Sequence, residues 1–490
     1  MTKQETLKTK FNIKDISFLN TISSIAVIGS SKRRDYSFLR RHAELFKGPV
    51  YAVHPTATEI RDFDDGTQNK IFKSIDLIPE DIDYVFISTP ASQILDVIDG
   101  CVKKGVKLAS IFTAGLADLG TEEGEQLEKE LISKLNNSMR VLGPNCLGLF
   151  YPKKGISWRG NFPTTPGNIG FIAQSGGICD LVVFHGAEMG LHFSKVFSFG
   201  NGNDLDLVDL LYFLSNDPET EIILCYIEGI NEGRGEALRE VLAQNKKPII
   251  FLKVGKSKSA AIAAKTHTAS IAGEYHLWEA IFNQYNIIEV KSVEQLIYAA
   301  KLIDCYGTFK FNSAAILVLS GGYGVVLTDL LEEEGISVPP FSPEIQYQID
   351  QKFTAVGTGT KNPLDVSGHL RNLKLVQELI ELTLSDDVID GIITALPTFY
   401  LNYGSKDGRR NQFSSFEKPV AKMMSIGHKY NKPIIAIMQG TIYPKTREIF
   451  AKKLDEAKIA VFNDPYEFIS ILPKISKYSE KVKKRKKKIN

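Results

Sequence analysis

Cysteine is scarce and unpaired: five residues in 490, Cys101, Cys146, Cys179, Cys225 and Cys305, none at the spacing of a metal-binding pair. An odd number, set mostly inside apolar runs, excludes a disulfide framework and fits reduced thiols in a reducing compartment. No apolar run reaches the roughly 20 residues that cross a bilayer. The first fifteen residues, MTKQETLKTKFNIKD, hold no apolar signal core. These absences predict a cytoplasmic protein with no membrane partner and no metal of its own. A strong charge of either sign is missing too. The formal net charge is +2, but the last ten residues, KVKKRKKKIN, are mostly Lys and Arg, and the rest of the chain sums to about −5. A mildly acidic body argues against nucleic acid as a partner. The terminal run, 474–490, is expected to be a disordered basic tail; an anionic partner for it is the other reading.

What is present is an ordinary soluble composition, 43% hydrophobic and 24% charged, in a chain too long for one core. Short β-branched runs alternate with amphipathic stretches throughout, the pattern of parallel sheets with helical crossovers. A first α/β unit, doubly wound and Rossmann-like, reads SIAVIG (24–29), VYAVHP (50–55), DYVFISTP (83–90), VKLASIFTAG (106–115) and MRVLGPNCLG (139–148). A second runs from GNIGFIAQSGG (167–177) through FSKVFSFGNG, EIILCYIEG and KPIIFLKVG to NIIEV (286–290). A third runs from AAILVLSGGYG (314–324) through GIITALP and KPIIAIMQG to KIAVF (458–462). Boundaries are expected near YPKKGISWRGNFPTTPG and YGTFKFNS, dividing the chain into 1–155, 156–308 and 309–473.

In such sheets ligands bind at the carboxyl ends of the strands, where helices begin. The first turn, VIGSSKRRDYSF, offers Gly29 alone, and the second strand ends in His54-Pro55, so it lacks both the spaced glycines and the acidic residue of a dinucleotide fingerprint. Its Ser30, Ser31, Lys32, Arg33 and Arg34 suit a ligand with more phosphate, or are a solvated basic turn. AQSGG (173–177) and LSGGYG (319–324) each follow an apolar strand and precede a helical stretch. Gln174, Ser175, Gly176 and Gly177 in one, and Gly321 and Gly322 in the other, offer backbone amides that approach an anion closely. Each helix start carries roughly half a positive charge. Taken singly, each is equally a plain turn.

Two further residues give these turns a chemistry. Glu228 ends EIILCYIEG, where a carboxylate projects into the crevice rather than the core. His267 lies in KTHTASIAGEY (265–275), a loop of small residues with nothing nearby to bury it. A carboxylate that accepts the Nδ1 proton of an imidazole leaves Nε2 free as a nucleophile. In isolation Glu228 is an exposed charge and His267 a loop residue. Together with two anion cradles they describe a phosphohistidine enzyme.

The chain resembles the α subunit of ADP-forming acyl-CoA synthetases, relatives of succinyl-CoA synthetase, from about residue 20 to 470. The anchors are AVIGSS, VLGPNCLGLF, GFIAQSGG, SFGNGNDLDLVDLLYFLSNDPET, YIEGINEGR, VGKSKSAAIAAKTHTASIAG and NPLDVSG. The resemblance implies a CoA-binding Rossmann-like domain over 1–155, followed by two flavodoxin-like domains. The first of these, 156–308, would carry the phosphohistidine loop, and the ligase-CoA domain, 309–473, the second phosphate turn. It further implies that His267 is phosphorylated and that Glu228 orients it. Gly29, Ser30, Ser31, Lys32, Thr89, Pro90, Thr113, Ala114, Gly115, Asn145 and Cys146 would line the coenzyme A site, with Cys146 as wall rather than nucleophile. The implied activity interconverts acyl-CoA, ADP and phosphate with a small carboxylic acid, ATP and CoA. No nucleotide module is visible, so ADP/ATP and Mg²⁺ are assigned to a separate ATP-grasp β subunit in an α2β2 assembly. Departures from the family pattern include Ala269 where glycine is usual, Ala173 where serine is common, and HPTATE in place of an Asn-Pro-Lys turn. The alternative is a non-catalytic CoA-binding or regulatory protein of the same fold.

Overall fold

The computed structural model describes residues 3–30, 36–55, 71–135, 139–260, 262, 275–353, 359–369, 372–396, 421–422, 424–438 and 444–489. His267, Ser31 and Lys32 lie outside the described residues. The chain divides into two compact units, Met1–Lys291 and Ser292–Asn490.

The first unit holds two sheets. In one, β1 (Ile25–Ile28), β2 (Val50–Val53), β3 (Ile71–Phe72), β4 (Tyr84–Ile87), β5 (Leu108–Ile111) and β6 (Arg140–Leu142) run parallel in the order β3-β2-β1-β4-β5-β6. The apolar runs become strands covered on both faces: every residue of β1, β4 and β5 is buried. Ile94, Ile98 and Cys101, at helical spacing on the helix Ile94–Lys104, close one face of this core. The strand order reverses between β1 and β4, which opens a crevice at their carboxyl ends.

The second sheet contains β7 (Gly148–Phe150), β8 (Ile169–Ala173), β9 (Phe193–Ser198), β10 (Ile222–Ile227), β11 (Ile249–Lys253) and β12 (Ile288–Glu289), ordered β12-β11-β10-β8-β9-β7. Its strands are parallel except β7, which runs antiparallel to β9. The sequence reads MRVLGPNCLG as one strand of the first unit. Instead the chain turns at Gly143–Cys146 and crosses to the second sheet by Gly148, so the two sheets share this turn. Here the order reverses between β8 and β10, the strands that end at Gln174 and Glu228.

The second unit is built on β13 (Ala314–Val318), β14 (Leu364–Asp365), β15 (Gly391–Ala395), β16 (Ile434–Ile437) and β17 (Val461–Phe462), all parallel, in the order β14-β13-β15-β16-β17. Leu317, Leu364, Leu379, Ile392, Ile434 and Phe450 belong to its core. The helix Val293–Tyr306, expected within 156–308, falls in this unit, where its Lys301 pairs with Asp455 and the Tyr306 hydroxyl donates to the Ile434 carbonyl at 2.6 Å. The expectation of a disordered tail at 474–490 is corrected: the helix Leu472–Ile489 runs through it. Its residues Leu472, Ile475, Tyr478 and Ser479 recur at helical spacing and are buried. Ser476 accepts from the Phe311 N–H at 3.2 Å, which ties the helix to the segment just before β13. The basic residues Lys483, Lys484 and Arg485 remain exposed beyond that face.

Among the described residues, no helix is long and apolar enough to cross a membrane.

Candidate active site

Both strand-order reversals of the first unit open toward one cavity of about 990 Å³, at the upper end of small-molecule sites. Gly29, Thr89, Pro90, Thr113, Ala114, Asn145 and Cys146 line it from the first sheet, and Gln174, Ser175, Gly176 and Gly177 from the second. Residues read from sequence as two separate sites therefore share one wall.

Each turn is shaped by its neighbours. Gly29 has φ +88°, and a Cβ there would lie 2.8 Å from the Ser88 carbonyl oxygen, so only glycine lets the β1 and β4 turns meet. The Thr113 hydroxyl donates to the Thr89 carbonyl at 2.7 Å, and the Asn145 N–H to the Thr113 carbonyl at 3.0 Å, which stitches three turns into a row. Ser30 Oγ and Thr89 Oγ1 are buried without a hydrogen-bond partner among the described residues. Thr89, which lines the cavity, offers the polar atom a ligand there would satisfy. Ser30 is not among the cavity-lining residues, and neither is Gly115, whose N–H is taken by the Asp118 carboxylate at 3.0 Å. Burial pushes the Cys146 thiol up to about 12. At neutral pH it is a protonated wall group, a poor nucleophile.

Ser175 caps the helix Gly176–Glu188, its Oγ accepting from the Ile178 N–H at 3.4 Å. Gly176 and Gly177, which open this helix, line the cavity and carry no side chain to cover its first N–H groups. Gln174 has a different task from the one its sequence position suggests. Its Oε1 accepts the N–H of Glu228 at 2.5 Å and that of Gly229 at 3.0 Å, linking the ends of β8 and β10. Glu228 is buried, and the Tyr226 hydroxyl lies 3.5 Å from its Oε1. The Glu228 main chain thus stands at the strand-order reversal beside the Gln174–Gly177 turn, and Glu228, expected to project into the crevice, is not among the cavity-lining residues. The second turn lies in the other unit: Gly321 and Gly322 open the exposed start of the helix Gly321–Glu333 after β13. A Cβ on Gly321 would come within 3.3 Å of the Asp365 carboxylate.

Sequence reasoning missed Arg159 and Asp180, which also line the cavity. Asp180 sits one turn beyond Gly176, accepting from Trp158 Nε1 at 2.9 Å and from Arg159 Nε at 3.0 Å. Trp158 in turn packs edge-on against Phe150 and Phe162. The signal was faint: a Trp-Arg pair inside a Gly- and Pro-rich connection that carries no periodicity.

Two protein-family models match the two sheets of the first unit. The CoA binding domain family matches residues 23–152, and the succinyl-CoA ligase like flavodoxin domain family matches residues 166–303. The α subunit of acetate–CoA ligase (ADP-forming) I of Pyrococcus furiosus is 30% identical over 473 residues, 95% of this chain and 98% of that protein. Acetate–CoA ligase (ADP-forming) I of Archaeoglobus fulgidus is 33% identical over 386 residues, 77% of this chain; the chain spans about half, 54%, of that longer relative. Among solved structures, the dinucleotide forming acetyl-coenzyme A synthetase 1 of Ca. Korarchaeum cryptofilum, in complex with phosphate and ADP, superposes with a TM-score of 0.78 at 30% identity, covering 96% of this chain and 99% of that one. An open-sheet α/β protein with a CoA-binding domain and a succinyl-CoA ligase like domain is the class so defined. Within that class, the chain belongs to the family of ADP-forming acetate–CoA ligase α subunits.

Proposed function

We propose that this chain is the CoA-binding, phosphohistidine-bearing subunit of an ADP-forming acyl-CoA synthetase, acting with an ATP-grasp β subunit in an α2β2 assembly. The observation that carries the reading is the single cavity in which the turns assigned to CoA and the amide-rich turn Gln174–Gly177 face the same space, with the Glu228 N–H bonded to Gln174 of that turn. A thioester held along the first sheet then presents its carbonyl carbon to a phosphate held at the Gly176 helix.

The cycle follows from bond chemistry. A phosphate oxygen attacks the thioester carbonyl, the C–S bond breaks, and CoA leaves as thiolate to take a proton. The acyl phosphate gives its phosphoryl group to Nε2 of His267 as the P–O bond to the carboxylate breaks, releasing the acid. The β-phosphate of ADP, held with Mg²⁺ on the partner, attacks phosphorus and the P–N bond breaks, giving ATP. Glu228 accepts the Nδ1–H and steadies the charge that builds on the ring. The helix N-terminus neutralises the phosphoryl oxygens. The small residues around His267 suit a loop that carries phosphate between two sites.

The test is incubation of the chain and its β partner with γ-labelled ATP and Mg²⁺. An acid-labile, base-stable label is expected on the chain, absent from His267→Ala. An active partner with an unlabelled chain would instead indicate a CoA-binding protein without turnover. A panel of carboxylic acids, scored by CoA-dependent ADP formation, identifies the substrate.

A further inference from the structure

Lys253, the last residue of β11, is a buried lysine with no carboxylate hydrogen-bonded to it among the described residues. Its Nζ donates to two main-chain oxygens, Glu228 O at 2.7 Å and Val254 O at 2.5 Å, and lies 5.6 Å from the centre of the Trp278 ring. The peptide unit that joins Glu228 to Gly229 is therefore held at both ends. Lys253 takes its oxygen from one neighbouring strand, and Gln174 of the other takes its N–H. We propose that Lys253 is a positioning residue for the phosphotransfer site, a cation sealed behind β10 that fixes where the Glu228 carboxylate stands. The inference rests on the reading of Glu228 as the carboxylate that orients His267.

Charge is the reason to use lysine here. A neutral donor would make the same contact more weakly, since a charge-assisted hydrogen bond is about twice as strong. The surroundings also make that charge labile. Burial pushes the Lys253 ammonium down to about 8, the nearby Lys256 adds to the fall, and Glu228 opposes it. Lys256 is itself tied to Glu289 and to the Tyr275 hydroxyl. Tyr226, beside Glu228, is raised to about 12 and stays neutral through the range that matters. Because the folded value lies below the ordinary lysine value, the cation is present below pH 8 and lost above it, which predicts an alkaline fall in phosphotransfer.

The experiment uses the chain assembled with its nucleotide-binding partner, acetyl-CoA and labelled inorganic phosphate, and follows the labelling rate from pH 6.5 to 9.5. Wild type is expected to slow as pH passes through about 8. Lys253→Met is expected to label about tenfold more slowly or worse, from the loss of the charge-assisted hydrogen bond to the Glu228 carbonyl, with no alkaline fall and an unchanged KM for acetyl-CoA. Lys253→Arg, a cation at every pH, is expected to recover rate and to hold it above pH 8. If it no longer binds CoA, Lys253→Met decides alone. A Lys253→Met enzyme with wild-type rate, or with the wild-type pH profile, overturns the role of Lys253 while leaving the phosphohistidine reading intact. A wild type that turns over acetyl-CoA and stays unlabelled overturns that reading and this inference with it.

Discussion

The two glycine turns, one in each unit, are written in nearly the same letters and have different surroundings. Each follows a five-residue buried strand, Ile169–Ala173 or Ala314–Val318, and opens a thirteen-residue helix, Gly176–Glu188 or Gly321–Glu333. Each has serine at the cap position. In the first, Ser175 caps the helix with its hydroxyl, Leu147 packs beside Gly176, and the nearest acidic partner, Asp180, is already engaged by Trp158 and Arg159. In the second, Ser320 makes no capping bond, and the Asp365 carboxylate stands beside Gly321. A Ser-Gly-Gly after a strand thus specifies a helix start. What that start can bind is decided by residues far away in sequence.

The largest break in this comparison is expected at Glu228, whose main chain is bonded to Gln174 of the first turn. Glu228→Gln keeps the shape but cannot favour an imidazolium, and should lower His267 labelling by about 100-fold or more, measured in single-turnover phosphotransfer with CoA binding unchanged. Next comes acid sensitivity of the first unit. His42 is wholly buried, and burial holds its imidazole down at about 4. Between pH 6.5 and 4 the unfolded chain takes up this proton and the folded one does not, so stability must fall as pH falls through that window, by up to about 3 kcal/mol. Urea unfolding at several pH values should show the slope, and His42→Leu should flatten it.

Smaller effects separate the turns themselves. Gly176→Ala puts a Cβ 2.8 Å from Leu147, whose side chain must yield into the cavity. That should cost about 1–2 kcal/mol and weaken CoA binding measured by calorimetry. Gly321→Ala meets only a carboxylate oxygen at 3.3 Å and should change stability by less than about 0.5 kcal/mol. Ser175→Ala should lose about 1 kcal/mol of helix capping, whereas Ser320→Ala, with no cap to lose, should change stability by less than about 0.5 kcal/mol. Chemical denaturation of the four variants tests the pairs together.

Local signals account for what the sequence made legible. Buried parallel strands are continuous apolar runs, so β1, β4, β8, β10, β13 and β15 stand out, and the turns after them are where ligands bind. Gly29, Thr89, Pro90, Thr113, Ala114, Asn145, Cys146 and Gln174–Gly177 all reach the cavity for that reason. What was not legible depends on distant contacts. β7 changes sheets because Leu149 pairs with Phe197. The terminal helix forms because Ile475 and Tyr478 have a core to enter. The clamp of Gln174 and Lys253 on Glu228 joins residues 54 and 25 positions away from it. Spacing along the chain signals none of these.

The account is tested most directly by locating the phosphate. After the assembled enzyme is mixed with acetyl-CoA and inorganic phosphate without nucleotide, mass spectrometry at neutral pH should find one phosphoryl group on His267, removed on addition of ADP. Turnover that proceeds with His267 unmodified, or with the phosphoryl group on another residue, would contradict it.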